Sequence, residues 1–462
     1  MQQYPVSPIA LKTAHEWIPV ERSSDGEDII DLADVFDFPR EHPWFNAYKN
    51  EDFYIDNPRT LGLHWDKGNI KPSHFIGAVN LPFVDKHRTF VVLPRKEFDK
   101  IDYGVMFAQV LATPMNVTGM DLDRLFGCDP EQAPIEGIKL PHLTLIEVTA
   151  FLATTARFVE RHLRRGFVRI QENLVGRVRG RILITDQLRK NLAQARPDRM
   201  VCEYQLFSLD TLENRLLKAA LEVSARYVSA NGINILELQR WIRVIRSALA
   251  SVPDHQPHSR DWSQVHNKGL MTAYAKPLAL ARLVLTRLHL KPTGEAQETY
   301  KTLPFFLDAN RLFEGWVGVC LSDVCDSVWS QDWKSFGPKP YREKQYKFRP
   351  DFIVKANKEQ QGHIVVDSKY KPDGPELLDL YQVLGYARLL AEPEPSLIAA
   401  SGIPGGHGLS EACFAVPGEP ISKGMPQLLE RFKENWRDRE GRCWGDGFRL
   451  TLVKVPLPRP MQ

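Results

Sequence analysis

The sequence predicts a multidomain α/β protein with an α+β front over 1–140, an Arg-rich helical middle over 141–295 and an α/β back over 296–462. Three observations predict it. At roughly 100–200 residues per domain, a chain of 462 residues calls for two to four domains. Its 43% hydrophobic and 25% charged residues are those of an ordinary folded protein, which excludes a disordered chain, a collagen-like repeat and a coiled-coil rod. The period of the apolar residues changes along the chain, from strand-like to helical and then to a mixture of both.

In the front, the first 60 residues are irregular, with a polar, acidic stretch over 22–32. Phe75–Leu81 and Thr89–Leu93 are rich in β-branched and aromatic residues and read as strands joined by a polar turn. Tyr103–Leu111 reads as a helix, and the Pro- and Gly-containing stretch 127–141 as a boundary. In the middle, Ile146–Leu163 is a long candidate helix. Leu212, Leu216, Ala220, Val223 and Tyr227 recur at helical spacing, and Asp210 with Glu213 reads as a capping box. Ile235–Leu249 is another helix, followed by a polar loop over 250–268.

In the back, Asp308 can cap a helix whose apolar positions are Leu312, Phe313, Trp316, Val317, Cys320 and Val324. Strands are expected at 346–355 and 363–369, a helix from Pro375 to Leu390, and short strands at 396–400, 411–416 and 447–455.

Sixty basic and 57 acidic residues leave a net charge of +3, so the whole-chain balance announces no polyanion partner. The average hides a local excess: 157–199 holds twelve Arg or Lys against four acids, a net of +8. Such a window suits phosphate contacts or a protein partner. The six cysteines are scattered without a CxxC, which fits a reduced, cytoplasmic protein and argues against a zinc site. No apolar run reaches the roughly 18–20 residues that span a bilayer, and the N-terminus does not read as a signal peptide. No P-loop occurs, so no nucleotide triphosphate is expected to bind this chain itself. His255, His258 and His266 with Asp254 match no metal-ligand spacing, and the Gly-rich stretch 402–408 reads as a loop. Trp316, Trp329 and Trp333 read as packing residues.

The residues that carry chemistry are Asp351, Asp367 and Lys369. Side chains alternate along a strand, so Asp367 and Lys369 share a face with Val365, near the strand end. Asp351 follows Pro350 on the preceding strand, and the short connection makes the two strands antiparallel neighbours. Two carboxylates meeting across a hairpin suit Mg²⁺, with the Ser368 carbonyl as a further oxygen. Lys369 can then serve an attacking water or a phosphate. A lone D-x-K is usually a surface ion pair. Here Glu314 lies on the helix before the hairpin, and Gln382 and Tyr386 lie four apart on the helix after it, sharing a face.

The segments RPDFIV (349–354), VVDSKYK (365–371) and YQVLGYA (381–387) resemble the PD-(D/E)xK nuclease superfamily with the Q-x-x-x-Y addition of its RecB-like branch. More narrowly, the stretches 176–192, 201–221 and LFEGWV (312–317) are similar to the McrC-type nuclease subunits of McrBC modification-dependent restriction systems. The resemblance implies a restriction-endonuclease-like back, with a central mixed sheet flanked by helices. It implies Asp351, Asp367 and Glu314 as Mg²⁺ ligands, with Mn²⁺ as a substitute, Lys369 serving the water, and Gln382 and Tyr386 steadying the site. It implies a DNA endonuclease acting on 5-methylcytosine-containing foreign DNA, with an McrB-type AAA+ GTPase ring as partner. The front and middle would dock on that ring and stimulate its GTP hydrolysis. Double-stranded DNA contact is expected at Lys344, Lys347 and Arg349 before the hairpin and at Arg177, Arg179 and Arg181 in the middle. Two rival functions are a free-standing repair or structure-specific nuclease, and a non-catalytic adaptor of an AAA+ ring.

Overall fold

The computed structural model describes residues 12–15, 64–66, 69–82, 87–128, 135–136, 143–265, 269–290, 296–298, 301–330, 350–355, 363–391, 409–422, 424–444 and 448–460. The chain divides into two compact units, one of Met1–Ile146 with Tyr300–Gln462 and one of Glu147–Thr299. This differs from the expected three parts: 1–140 and 296–462 share one unit. The reason is a strand exchange along the sequence. Phe305–Asp308 inserts between Phe75–Pro82 and Phe126–Cys128, so the back of the chain completes the sheet of the front.

That first sheet has five strands. Phe75–Pro82 and His87–Leu93 form the expected antiparallel pair. Lys12–His15, in the stretch expected to be irregular, adds as a parallel edge strand beside His87–Leu93. The helix Tyr103–Ala112 is capped by Asp102, whose carboxylate accepts from the Val105 N–H at 2.9 Å.

The second sheet has six strands in the order Ser327–Ser330, Phe352–Lys355, His363–Ser368, Leu409–Ile421, Phe448–Pro458, Glu440–Trp444. It is mixed: the two central pairings, either side of Leu409–Ile421, are parallel and the outer ones antiparallel. The 346–355 strand is shorter than expected among the described residues, beginning at Phe352. The expected strand at 396–400 lies outside the described residues. Strands Ser327–Ser330 and Glu440–Trp444 and the helix Met425–Arg437 were not anticipated. That helix buries only Leu428, Phe432 and Trp436, a thin stripe in a charged segment.

Helix Ala309–Val324 is the axle of this unit. Asp308 caps it, accepting from Arg311 N at 2.9 Å, as expected. Leu312, Phe313, Trp316, Val317 and Cys320 are all buried. Trp316 Nε1 donates to the Pro456 carbonyl at 3.0 Å. Gly315 and Gly318 let neighbours approach: a Cβ at Gly315 would lie 2.6 Å from Val110, and one at Gly318 would lie 3.0 Å from the Phe352 ring. Those two glycines join the helix to the front of the chain on one turn and to the strand that begins at Phe352 on the next.

The second unit is not wholly helical. Gly166–Val175, Arg199–Ser208 and Arg181–Ile182 form an antiparallel three-stranded sheet, which carries Arg169, Arg181 and Arg199 of the Arg-rich window. Helices Leu212–Ala230, Leu236–Ala248 and Ala275–Arg287 follow. The cap of the first is Thr211, not the Asp210–Glu213 box: the Thr211 hydroxyl accepts from Asn214 N at 3.3 Å, while Asp210 pairs with Arg215. Thr211 has the extended backbone an N-cap needs, one residue later than expected. Arg287 and Glu147 form a buried two-pronged ion pair at 3.1 and 3.3 Å. No helix among the described residues is long and apolar enough to cross a membrane.

Candidate active site

The hairpin builds the site. Phe352 pairs with Val366, Ile353 with Val365 and Val354 with Ile364, and all six are buried. Pleating puts Ile353, Val365 and Asp367 on one face and Phe352, Val354, Ile364 and Val366 on the other. Strands buried on both faces have no need of a charge, so Asp367, 1% exposed, stands out. In the parallel pairing with Leu409–Ile421, Asp367 lies beside Phe414. Phe414 packs with Ala412 and Val416 against Val383 of the helix Leu377–Ala391. That helix therefore covers the face carrying Asp367, which is how residues well beyond the strand in sequence reach the site.

Asp351 sits at the entrance of its strand, and Ser368 holds it. The Ser368 backbone N–H donates to Asp351 Oδ2 at 2.8 Å and the Ser368 hydroxyl donates to the same oxygen at 2.6 Å. Lys369 Nζ lies 2.8 Å from Asp367 Oδ2 and donates to Gln382 Oε1 at 3.2 Å. Gln382 Nε2 donates to the Tyr386 hydroxyl at 2.6 Å. Tyr370, next to Lys369, is pinned to the front of the chain by a 2.7 Å hydrogen bond with the Tyr103 hydroxyl. Glu314 reaches the site from Ala309–Val324, and its Oε1 is buried with no hydrogen-bond partner among the described residues.

The carboxylates repel one another. Burial, then Asp351, push Asp367 up to about 7, against the pull of Lys369. Burial, then Asp351, raise Glu314 well above the usual carboxylate range. Burial works against the charge of Lys369, but Asp367, Asp351 and Asp379 outweigh it and raise its pKa.

The sequence pattern points to Asp351, Asp367, Lys369, Glu314, Gln382 and Tyr386, and the structure brings these six together. The pattern missed Asp379. This residue is 3.6 Å from Lys369 Nζ and 2.9 Å from Lys371 Nζ. The available signal was its position three residues before Gln382, on the same side of the helix.

The donor set fits a hard divalent cation: oxygen donors, an orphaned buried carboxylate oxygen, and a neighbouring carboxylate that helps raise the pKa of Asp367 and Glu314. Among the described residues no group of three His, Cys, Asp or Glu side chains is set closely enough to hold an ion unaided. Mg²⁺ keeps several waters and binds through one or two carboxylates, so Asp351 and Asp367 are the pair it would need. Ser368, expected to offer its carbonyl, also uses its N–H and hydroxyl to aim Asp351.

Arg177, Arg179 and Arg181 lie in the second unit, exposed, around a loop bounded by Gly176 and Gly180, both with positive φ. Arg179 stacks 4.2 Å over the Tyr204 ring. Lys344, Lys347 and Arg349 lie outside the described residues, as do His266, Trp333 and the 402–408 loop. His255 Nε2 and the His258 backbone N–H both contact Asp261 Oδ2 at 2.8 Å, so the loop is tied by a carboxylate.

The family model for the McrBC 5-methylcytosine restriction system component matches residues 74–398. No curated protein matches the chain. Among solved structures it is similar to a chain in a refined half-complex from a tetradecameric assembly of Thermococcus gammatolerans McrB AAA+ hexamers with bound McrC. There the identity is 16%, covering 97% of this chain and 95% of that one, with a TM-score of 0.37. It is also similar to a chain in the cryo-EM structure of the Thermococcus gammatolerans McrBC complex, at 18% identity over 68% of this chain and 87% of that one, with a TM-score of 0.29. With the family model spanning more than half of its length, the chain belongs to the family of McrBC 5-methylcytosine restriction system components.

Proposed function

We propose that this chain is the Mg²⁺-dependent DNA endonuclease subunit of its restriction system, cutting 5-methylcytosine-containing foreign DNA in the cytoplasm together with an McrB-type AAA+ GTPase ring. The observation that carries the reading is the buried constellation at the hairpin. Asp351 is aimed by Ser368, Asp367 is paired with Lys369, and Glu314 is buried beside them with Oε1 unpartnered among the described residues.

Asp351 and Asp367, with Glu314 behind them, would hold Mg²⁺ or Mn²⁺. Bound there, the cation would activate the attacking water and offset charge on the phosphate. Lys369 supplies an ammonium beside the reacting phosphate, where a preorganised donor counts most. Gln382 and Tyr386 form a hydrogen-bonded line that keeps Lys369 at the mouth of the site. Arg177, Arg179 and Arg181 and the basic stretch at Lys344, Lys347 and Arg349 would contact the backbone of double-stranded DNA, a sequence-independent attraction. The partner ring would supply translocation and modification reading, and this chain would stimulate its GTP hydrolysis.

The test is reconstitution with an McrB-type GTPase, with Mg²⁺ and GTP, on methylated and unmethylated DNA. Methylation-dependent cleavage by the complex, and little by the chain alone, is the expected result. Cleavage that survives Asp367→Ala or Lys369→Ala would show that the site is misassigned.

A further inference from the structure

Lys369 has more carboxylate partners than it needs. Its Nζ is 2.8 Å from Asp367 Oδ2, 3.6 Å from Asp379 Oδ1 and 3.2 Å from Gln382 Oε1. Asp379 is held in place by its other oxygen. Oδ2 accepts from the Glu376 backbone N–H at 2.8 Å and from Lys371 Nζ at 2.9 Å, so Oδ1 stays turned toward Lys369. The side chain sits in the first turn of Leu377–Ala391, where the helix terminus also favours a negative charge. Burial opposes that charge, yet the Glu376 N–H, Lys371 and Lys369 together hold Asp379 below the usual carboxylate range.

If the site is a cation-dependent nuclease centre, Asp367 must serve both an ammonium and a divalent cation. The two cannot share one buried oxygen, because like charges at such range repel strongly. Displacing Lys369 with nowhere to go would leave a mostly buried ammonium unpaired, which is costly. We propose that Asp379 is a positioning residue that receives Lys369 when a divalent cation takes Asp367, so that Lys369 stays beside the phosphate and Asp367 is freed for the metal. The proposal rests on the reading of this site as a cation-dependent nuclease centre.

Mn²⁺ binding to the purified full chain, followed by electron paramagnetic resonance, tests it without any cleavage assay. Asp379→Asn removes the receiving charge and should weaken Mn²⁺ binding about tenfold, a normal size for coupled neighbours. Asp379→Glu keeps the charge and should retain most of the affinity. Lys369→Ala removes the competitor and should tighten Mn²⁺ binding. In the Lys369→Ala background, Asp379→Asn should then change little. An Asp379→Asn loss that persists unchanged in that background overturns the proposal, since Asp379 would then act on the cation directly or through the fold. So does an Asp379→Asn variant that binds Mn²⁺ like the wild type. If the wild type binds no Mn²⁺ sensitive to Asp351→Ala, the underlying site reading fails as well. Binding that depends on Asp351 but ignores Asp379 leaves that reading standing and removes only this one.

Discussion

Ser368 grips Asp351 across the hairpin with two donors on one oxygen, its backbone N–H at 2.8 Å and its hydroxyl at 2.6 Å. That carboxylate oxygen is thereby fixed across the hairpin. The backbone donor survives any substitution at Ser368 that keeps its N–H, while the hydroxyl does not. Ser368→Ala should therefore keep the fold and slow cleavage by about tenfold, the effect of one hydrogen bond to a charged group. Asp351→Ala should abolish cleavage. Single-turnover rates with the reconstituted complex check both, and an unaltered rate in Ser368→Ala would remove Ser368 from the site.

The pH dependence of the metal-free chain has a definite sign. Asp367 is pushed up to about 7, and Glu314 is raised well above the usual range, by burial first and by Asp351 next. Between the ordinary carboxylate pKa and these values, the folded chain holds protons that the unfolded chain has released. Stability therefore falls as pH rises from about 4 to about 7, the reverse of a salt-bridged carboxylate. Glu314→Gln keeps the shape and removes the buried charge. It should raise the melting temperature of the metal-free chain at pH 8 by about 2 °C or more, flatten its pH dependence, and impair cleavage. A melting temperature below the wild type at pH 8 would contradict this.

Arg177, Arg179 and Arg181 are exposed around a tight loop. At Gly180 (φ 69°) a Cβ would lie 2.5 Å from the Glu203 carbonyl oxygen, so the loop shape depends on that glycine. If the three arginines meet phosphates, replacing all three with Ala should lower DNA affinity of the complex regardless of sequence. It should also reduce the salt slope of log K by roughly 0.9 for every phosphate that is no longer neutralised. Filter binding across a salt series measures it, and an unchanged slope would assign the cluster to a protein partner instead.

Gly315→Ala would place a methyl 2.6 Å from Val110 and 3.0 Å from Met120. The better helix propensity of Ala does not offset an overpacked helix crossing. The expected cost is about 1–3 kcal/mol, read from the denaturant midpoint. Loss of cleavage should go with it, because the same helix carries Glu314 and, through Gly318, touches Phe352 of the hairpin.

Local order and chemistry were legible in the amino-acid sequence wherever they obey a short-range rule. The period of two along 363–369 put Asp367 and Lys369 on one face. The spacing of four put Gln382 beside Tyr386, and Asp308 announced the helix that carries Glu314. Each is a consequence of backbone geometry over a few residues. The six-stranded order was not legible, nor was Phe305–Asp308 pairing with a strand some 230 residues earlier, because strand pairing joins residues with no sequence relation. The three-stranded sheet in the middle went unread for a related reason: its strands are half-exposed and mix polar with apolar residues, with little apolar alternation to betray them. Thr211 took the cap from Asp210 because backbone shape, not residue type alone, selects a cap. Asp379 shows the same division at the site. Its place on the helix is local, but its hold on Lys369 exists only because Val383 packs that helix on Phe414, over the face where Asp367 lies.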